Sequence, residues 1–364
     1  MLALACVTTA AACTDSTLDL QRPTPTPASG RHKPVTVSGA LVAGPAALAS
    51  FPLLVRAFDD AELSAGVAFA DGSDLRFEIA GTELPREVER YDPATGTLVA
   101  WVLVPSLDDS GLLLDLFYGG EPSTVDPADV WQDYRAVWHL GEDPVLGVTS
   151  DSSPAATHGT AYGFGVAGGG GGGSGPGIAG NAIEFAGSQR LAFGDASAFD
   201  VGLDSFSYSA WVLAKAPSLG EFDMALFNGG SSVSYPGFDM ELGANNWSGC
   251  LNDGAQSVCA TVGYEVDLAG DWHHLTFVVD RDATVLNGFI DGTHPWIDTL
   301  NLIDSLSAGV SLTVGASDGG TLDFAGAIDE VRIANVARSL DWVATEFANV
   351  TSSGLIFVGA EDSP

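Results

Sequence analysis

A chain of 364 residues that is 46% hydrophobic can bury a substantial core, which argues against global disorder and leaves room for two domains. Lys and Arg number 13 against 47 Asp and Glu, and the formal charge of −34 repels phosphate backbones and anionic lipid, so nucleic acid is not an expected partner. With 45 glycines and three methionines, the composition suits short strands and tight turns better than a helical bundle. Such acidity would attract divalent cations, but solubility outside the cell is the simpler account of it.

Residues 2–12 are apolar and small, and they end in Ala10-Ala11-Ala12-Cys13. That ending resembles a bacterial lipoprotein cleavage box, with Cys13 in the position that carries the lipid. No basic residue follows Met1, so residues 1–13 read either as a weak export leader or as one whose true start lies elsewhere. The run is too short to span a bilayer, and no later stretch reaches the ~18 uninterrupted apolar residues required. A secreted or lipid-anchored protein of the bacterial envelope is expected, touching a membrane only through the anchor. Residues 14–34 are polar around Pro23-Thr24-Pro25-Thr26-Pro27, where alternating prolines impose extended geometry, and they read as a spacer.

Residues 35–122 carry strand-like runs at 51–56, 75–79, 98–104 and 112–118, separated by turn clusters such as Asp71-Gly72-Ser73-Asp74 and Asp92-Pro93-Ala94-Thr95-Gly96. Their spacing favours a β-sandwich. The pattern Phe51-Pro52, Asp74-Leu75-Arg76-Phe77, Leu84-Pro85-Arg86-Glu87-Val88-Glu89, Trp101-Val102 and Tyr118-Gly119-Gly120 resembles the bacterial extracellular family catalogued as domain of unknown function 2341. The resemblance implies no activity. Asp74 and Glu87 are expected to be solvated turn and edge acids.

Residues 123–135 form a connector, and Val137-Trp138-His139-Leu140 then enters a second domain at 136–362. A lone histidine among core-like neighbours reads as a hydrogen-bonded packing residue ahead of a metal ligand or a catalyst. Gly168 to Gly173 is an unbroken glycine run, and composition alone makes it a linker. No Gly-Lys-Ser/Thr closes it, which excludes a phosphate-cradling loop.

Beyond the run, strands are expected at 182–185, 191–193, 206–214, 224–227, 238–242, 258–262, 273–280, 287–291, 310–314, 324–333 and 355–358. Ser339 is placed to cap a helix with Leu340, Val343 and Phe347 on one face. Cys250 and Cys259 flank Asn252-Asp253-Gly254, a tight-turn signal, and an even pair across a hairpin in an exported chain predicts a disulfide. Zinc would need further ligands at finger-like spacing, and none follow.

Phe324-Ala325-Gly326-Ala327-Ile328-Asp329-Glu330-Val331-Arg332-Ile333, together with Asp271-Trp272-His273-His274-Leu275 and Ser207-Tyr208-Ser209-Ala210-Trp211-Val212, resembles the closing pattern of LamG-like jelly-roll domains. Those belong to the concanavalin A-like lectin/glucanase superfamily. The resemblance places the glycine run in a loop inside the domain. The expected fold class is all-β: a sandwich-like N-terminal domain, then a LamG-like jelly roll with one short C-terminal helix. Relatives bind calcium through acids and loop carbonyls, which implies Asp329 as a ligand, with Asp151 and Glu142 as further candidates. The competing reading pairs Asp329 or Glu330 with Arg332.

Glucanases of the superfamily carry Glu-x-Asp-x-x-Glu. The nearest stretch here, Glu221-Phe222-Asp223-Met224-Ala225-Leu226, has leucine in place of the last acid. Asp239 and Glu241 would share a strand face roughly 6.6 Å apart, a spacing common to any such pair. The expected function is therefore a non-catalytic exported module that binds a glycan or a surface protein. The alternatives are a structural or assembly module of the envelope and a divergent glycoside hydrolase. A sugar-binding platform would draw on Trp247, Trp296, Tyr235 and Tyr264, although most aromatics in a sandwich fill its core.

Overall fold

Hydrophobic runs with no polar alternation mark strands buried on both faces, and Thr97–Leu107 is such a strand. Leu98, Ala100, Val102 and Val104 face the core of the first unit, while Val99 and Trp101 face a second apolar cluster on the other side. Leu48–Ala57 divides in the same way, with Phe51, Leu53 and Val55 inward and Leu54 outward. These two strands and Arg86–Asp92 form a three-stranded sheet. It packs on a five-stranded sheet ordered Ile356–Val358, Arg31–Val37, Leu112–Tyr118, Arg76–Ile79 and Thr82–Glu83.

The computed structural model describes residues 31–165, 172–215, 223–229, 236–243, 246–263, 270–300, 303–307, 310–317 and 322–362. Cys13 and the expected leader lie outside the described residues. The last four residues of the expected spacer, 31–34, are already in a strand. There the buried Lys33 amine pairs with Asp60 and with Glu62, the latter at 2.8 Å. Among the described residues no helix is long and apolar enough to cross a membrane.

The second unit is a sandwich of two large antiparallel sheets. One runs Ser257–Val262, Trp247–Asn252, Gly237–Leu242, Asp223–Phe227, Leu312–Val314, Arg190–Phe193, Gly159–Tyr162 and Val148–Thr149. The other runs Gly173–Pro176, Asn181–Ala186, Ala325–Ala334, Phe206–Ala214, His273–Asp280, Val285–Ile290 and Thr293–Thr299. Residues 166–171, which hold most of the glycine run, lie outside the described residues, and the strands before and after them belong to these two sheets of one sandwich. The last glycine of the run, Gly173, opens the edge strand Gly173–Pro176.

Ala325–Ala334 holds the site in place. One of its edges pairs with Phe206–Ala214 throughout. The other is shared: Asn181–Ala186 pairs with Ala325 to Ile328, and Tyr134–Trp138 pairs with Val331 to Ala334. Asp329 and Glu330 fall in the gap between them. Opposite the gap, the register with Phe206–Ala214 shifts, and Glu330 takes a left-handed φ of 51°. Ile328, Val331 and Ile333 all reach the core, a spacing of three and then two, which strand alternation alone does not permit. The bulge absorbs the extra residue and turns Asp329, Glu330 and Arg332 toward the first unit.

The C-terminal helix Leu340–Thr351 is capped by Ser339, whose Oγ accepts from Trp342 N at 3.1 Å. The expected single apolar face is corrected, because Leu340 is 55% exposed and the helix is wedged between the units. Val343 packs on Val278 and Phe289 of the second unit, while Trp342 sits 4.9 Å from Phe51 of the first. Asn349 accepts from Leu54 N and donates to Pro52 O, each at 3.0 Å. The chain then pairs Ile356–Val358 with Arg31–Val37, so its C-terminal end completes the first unit's sheet.

Candidate functional site: a polar cleft between the two units

The gap in the pairing of Ala325–Ala334 is filled by His139, one residue beyond the strand Tyr134–Trp138. Its Nδ1 lies 2.8 Å from Glu330 Oε1 and its Nε2 lies 3.2 Å from Glu87 Oε2. Glu89 Oε2 is 3.8 Å from Nδ1. The two glutamates come from the first unit, where the strand Arg86–Asp92 shifts register between Val88 and Arg90. Trp131 Nε1 donates to Glu87 Oε2 at 2.6 Å, Trp101 Nε1 to Glu89 Oε2 at 2.9 Å, and Ser152 Oγ to Glu87 Oε1 at 2.7 Å. Glu87 is thus a half-buried, fully engaged group, contrary to the expected solvated edge acid. Asp74 is buried and accepts from the N–H groups of Ala68, Phe69 and Gly119.

Behind Glu330 lies Arg332, which donates to Glu330 Oε2 at 2.6 Å and to Glu346 Oε1 at 3.2 Å. Its guanidinium covers the rings of Trp101 and Trp131 at 4.2 and 4.9 Å. The Glu330–Arg332 pair therefore satisfies the ion-pair reading of this strand. Burial opposes the charge on His139, yet the carboxylates of Glu330 and Glu87 outweigh it and hold the imidazole well above its ordinary range. Burial also pushes Glu330 and Glu87 up, and His139 pulls both back below the usual carboxylate value. Glu89 is pushed up to about 7 by burial, with the nearby carboxylates of Glu330 and Glu87 adding to it against His139.

This cluster floors a cleft of about 420 Å³. Glu87, Glu89, His139, Glu142, Ser152 and Asn181 are among the side chains that line it, from both units. The turn at 177–180 passes between two acids at close range. A side chain at Gly177 would meet Asp329 Oδ2, and one at Gly180 would meet Glu89 Oε1.

The candidate calcium ligands are not brought together. Asp329 is buried and its Oδ2 accepts from Ile178 N at 2.7 Å and Ala179 N at 3.3 Å. Burial, then Glu330 and Glu89, push its carboxyl well up. Asp151 accepts from Val137 N, Ser153 N, Ser153 Oγ and Thr157 N, all at 3.0 Å or less, so its lone pairs are taken by a turn. The Asp151 assignment is corrected on that ground, since donors take both of its oxygens, whereas Asp329 keeps a buried Oδ1 that accepts no hydrogen bond and stands apart from the other two candidates. Glu142 accepts from Ser150 N at 2.7 Å and alone of the three opens on the cleft. Among the described residues, the groups whose ligand atoms all lie within 4.8 Å of one another are Glu89–His139–Glu330 and Asp239–Glu241–Cys250. Cys250 is bonded to Cys259, directly opposite in the register of two neighbouring strands, so the second group offers no thiolate.

The aromatic candidates separate too. Trp247 is fully buried in the sandwich core, 6.2 Å from Phe324, and is corrected from platform to packing. Trp296 is 48% exposed on the edge strand Thr293–Thr299. Tyr235 and Tyr264 lie outside the described residues, as does Glu221 of the incomplete glucanase pattern. Asp239 and Glu241 do share the face opposite Phe238, Met240 and Leu242, and both are buried. What the sequence reading missed is Glu89. The signal available for it was the unbroken apolar run around Trp101, which requires a partner on the strand's outer face.

Residues 185–344 match the family model described as the concanavalin A-like lectin/glucanases superfamily. Among solved structures, the chain is similar to the binding domain of Paraclostridial Mosquitocidal Protein 1, at 14% identity and a TM-score of 0.46 over 59% of this chain and 52% of that one. It is also similar to the binding domain of botulinum neurotoxin serotype G, at 14% identity and a TM-score of 0.44 over 59% and 50%. A third is domain 4 of an extracellular arabinanase from Geobacillus stearothermophilus in complex with arabinotriose, at 21% identity and a TM-score of 0.45 over 59% and 98%. The chain spans about half the length of the toxin binding domains it matches. No curated protein sequence matches it.

Proposed function

We propose that this chain is a non-catalytic module, exported and held at a bacterial envelope, that binds a glycan in the cleft between its two units. The observation that carries the reading is the cleft itself: one wall of Glu87 and Glu89, the other of His139, Glu142, Ser152 and Asn181. Concave sites with a few converging polar groups, set between two units, are where ligands bind by default. The lectin/glucanase match over residues 185–344, outside the cleft's own lining, supports a glycan as the ligand class. The first unit, which resembles domain of unknown function 2341, contributes a wall rather than an activity.

Hydrolysis is the poorer reading. A glycosidase needs two carboxyl groups free to flank the scissile bond. Glu87 is held by Ser152, Trp131 and His139, and Glu330 by His139 and Arg332. The test is a glycan array read with the metal-stripped full chain and with Asn181→Trp, which fills the cleft from its rim. Retention of a defined set of glycans by the first and its loss by the second is expected. Glycan binding that Asn181→Trp leaves unchanged, or none at all, overturns the proposal.

A further inference from the structure

We propose that Glu89, His139 and Glu330 form a binding site for a borderline divalent transition ion, of which zinc is the model, joining the two units at the floor of the cleft. The proposal does not depend on the cleft taking a glycan. Each residue offers one ligand atom, and the three atoms lie within 4.8 Å of one another. Two of the separations are 2.8 and 3.8 Å. Ligands held at the usual 2.0–2.2 Å from one tetrahedral ion are about 3.4 Å apart, so modest adjustment suffices. One imidazole with two carboxylates suits zinc or its neighbours, whereas calcium and magnesium prefer oxygen alone.

The surroundings are those of a supported ligand set. Glu87 engages the other ring nitrogen of His139, the carboxylate–histidine arrangement that fixes a metal-ligating imidazole. Arg332 holds Glu330 by Oε2 and leaves Oε1 facing His139. Trp101 holds Glu89 by Oε2. The Glu89 side chain is 9% exposed and lines the cleft, with Oε2 turned toward His139 Nδ1 and Oε1 toward Gly180, so an ion entering from the cleft meets this carboxylate directly. Without an ion, the proton on His139 occupies the position between the carboxylates. One divalent ion enters from the cleft, and the proton on the coordinating nitrogen leaves to solvent, together with any proton on Glu89. The carboxylates of Glu87, Glu89, Glu330 and Glu346, with Asp329 beside Glu330 and Glu89, surround this position against the guanidiniums of Arg332 and, on the Glu89 side, Arg56.

The experiment is calorimetric titration of the metal-stripped full chain with Zn²⁺ and with Co²⁺, alongside the visible spectrum of the cobalt form. Calcium and magnesium at equal ionic strength control for ions held loosely by the acidic surface. Expected are one ion per chain, a cobalt d–d band of tetrahedral intensity, and no displacement by calcium or magnesium. Glu89→Gln retains the Trp101 hydrogen bond through its amide oxygen, and it should weaken affinity at least about 100-fold, the upper end of what second-shell losses cost. His139→Gln should abolish the cobalt band. Absence of one-to-one binding overturns the proposal, and so does a Glu89→Gln chain, folded by melting temperature, that binds as the wild type does. Failure here leaves the glycan reading standing, because the array is read without metal.

Discussion

His139 and Glu330 meet at 2.8 Å in the gap where two strands share one edge of Ala325–Ala334. The contact exists because Glu330 sits in a bulge with a left-handed backbone, a conformation that costs energy for a residue with a side chain. Its surroundings over-determine it, with Arg332 on one carboxylate oxygen and His139 on the other. Glu330→Ala leaves a buried imidazolium and a guanidinium short of a partner. Removal of one member of such a buried pair costs roughly 3–5 kcal/mol. Urea unfolding should show that loss as a lower midpoint at unchanged slope, and a loss below about 1 kcal/mol would show that the network is not a structural tie.

Much of this was legible beforehand, and the limits are physical. The two all-β units, the capped helix and the Cys250–Cys259 bridge follow from alternation, a serine before an apolar turn, and a turn between two cysteines. The site did not follow. Strand periodicity places Asp329 and Glu330 on opposite faces, and only the bulge turns both outward, so the pairing of Glu330 with His139 required the register. Trp101 and Trp247 look alike in sequence, yet one lies against the cleft's glutamates and the other in a dry core. The C-terminal strand's return to Arg31–Val37 is a long-range pairing that no local pattern announces.

Asn349 offers a test of the joint between the units that is separate from the charges. Its amide satisfies the N–H of Leu54 and the carbonyl of Pro52, both inside the first unit's sheet. Asn349→Ala orphans both groups, at roughly 1–3 kcal/mol each. Hydrogen exchange at Leu54 N should rise by orders of magnitude in the variant. Unchanged protection there would place the joint elsewhere along the helix.

The disulfide joins two adjacent edge-proximal strands and closes a nine-residue separation. In the chain-entropy model its loss destabilises by about 2.5 kcal/mol. A Cys250→Ala, Cys259→Ala chain should therefore melt lower while still binding in the distant cleft. Mass mapping of the non-reduced protein gives the direct check, since two free thiols at these positions contradict the pairing.

The cleft and the exposed Trp296 are rival places for a glycan, and indole N–H resonances distinguish them in one experiment. Trp101 donates to Glu89 in the cleft floor, whereas Trp296 lies 48% exposed on an outer strand. Titrating the array-selected glycan into ¹⁵N-labelled full chain should shift the Trp101 Nε1–H signal, and that of Trp131 beside it, in a saturable way while Trp296 stays fixed. A saturable shift at Trp296 with Trp101 and Trp131 unmoved would contradict the cleft as the binding site.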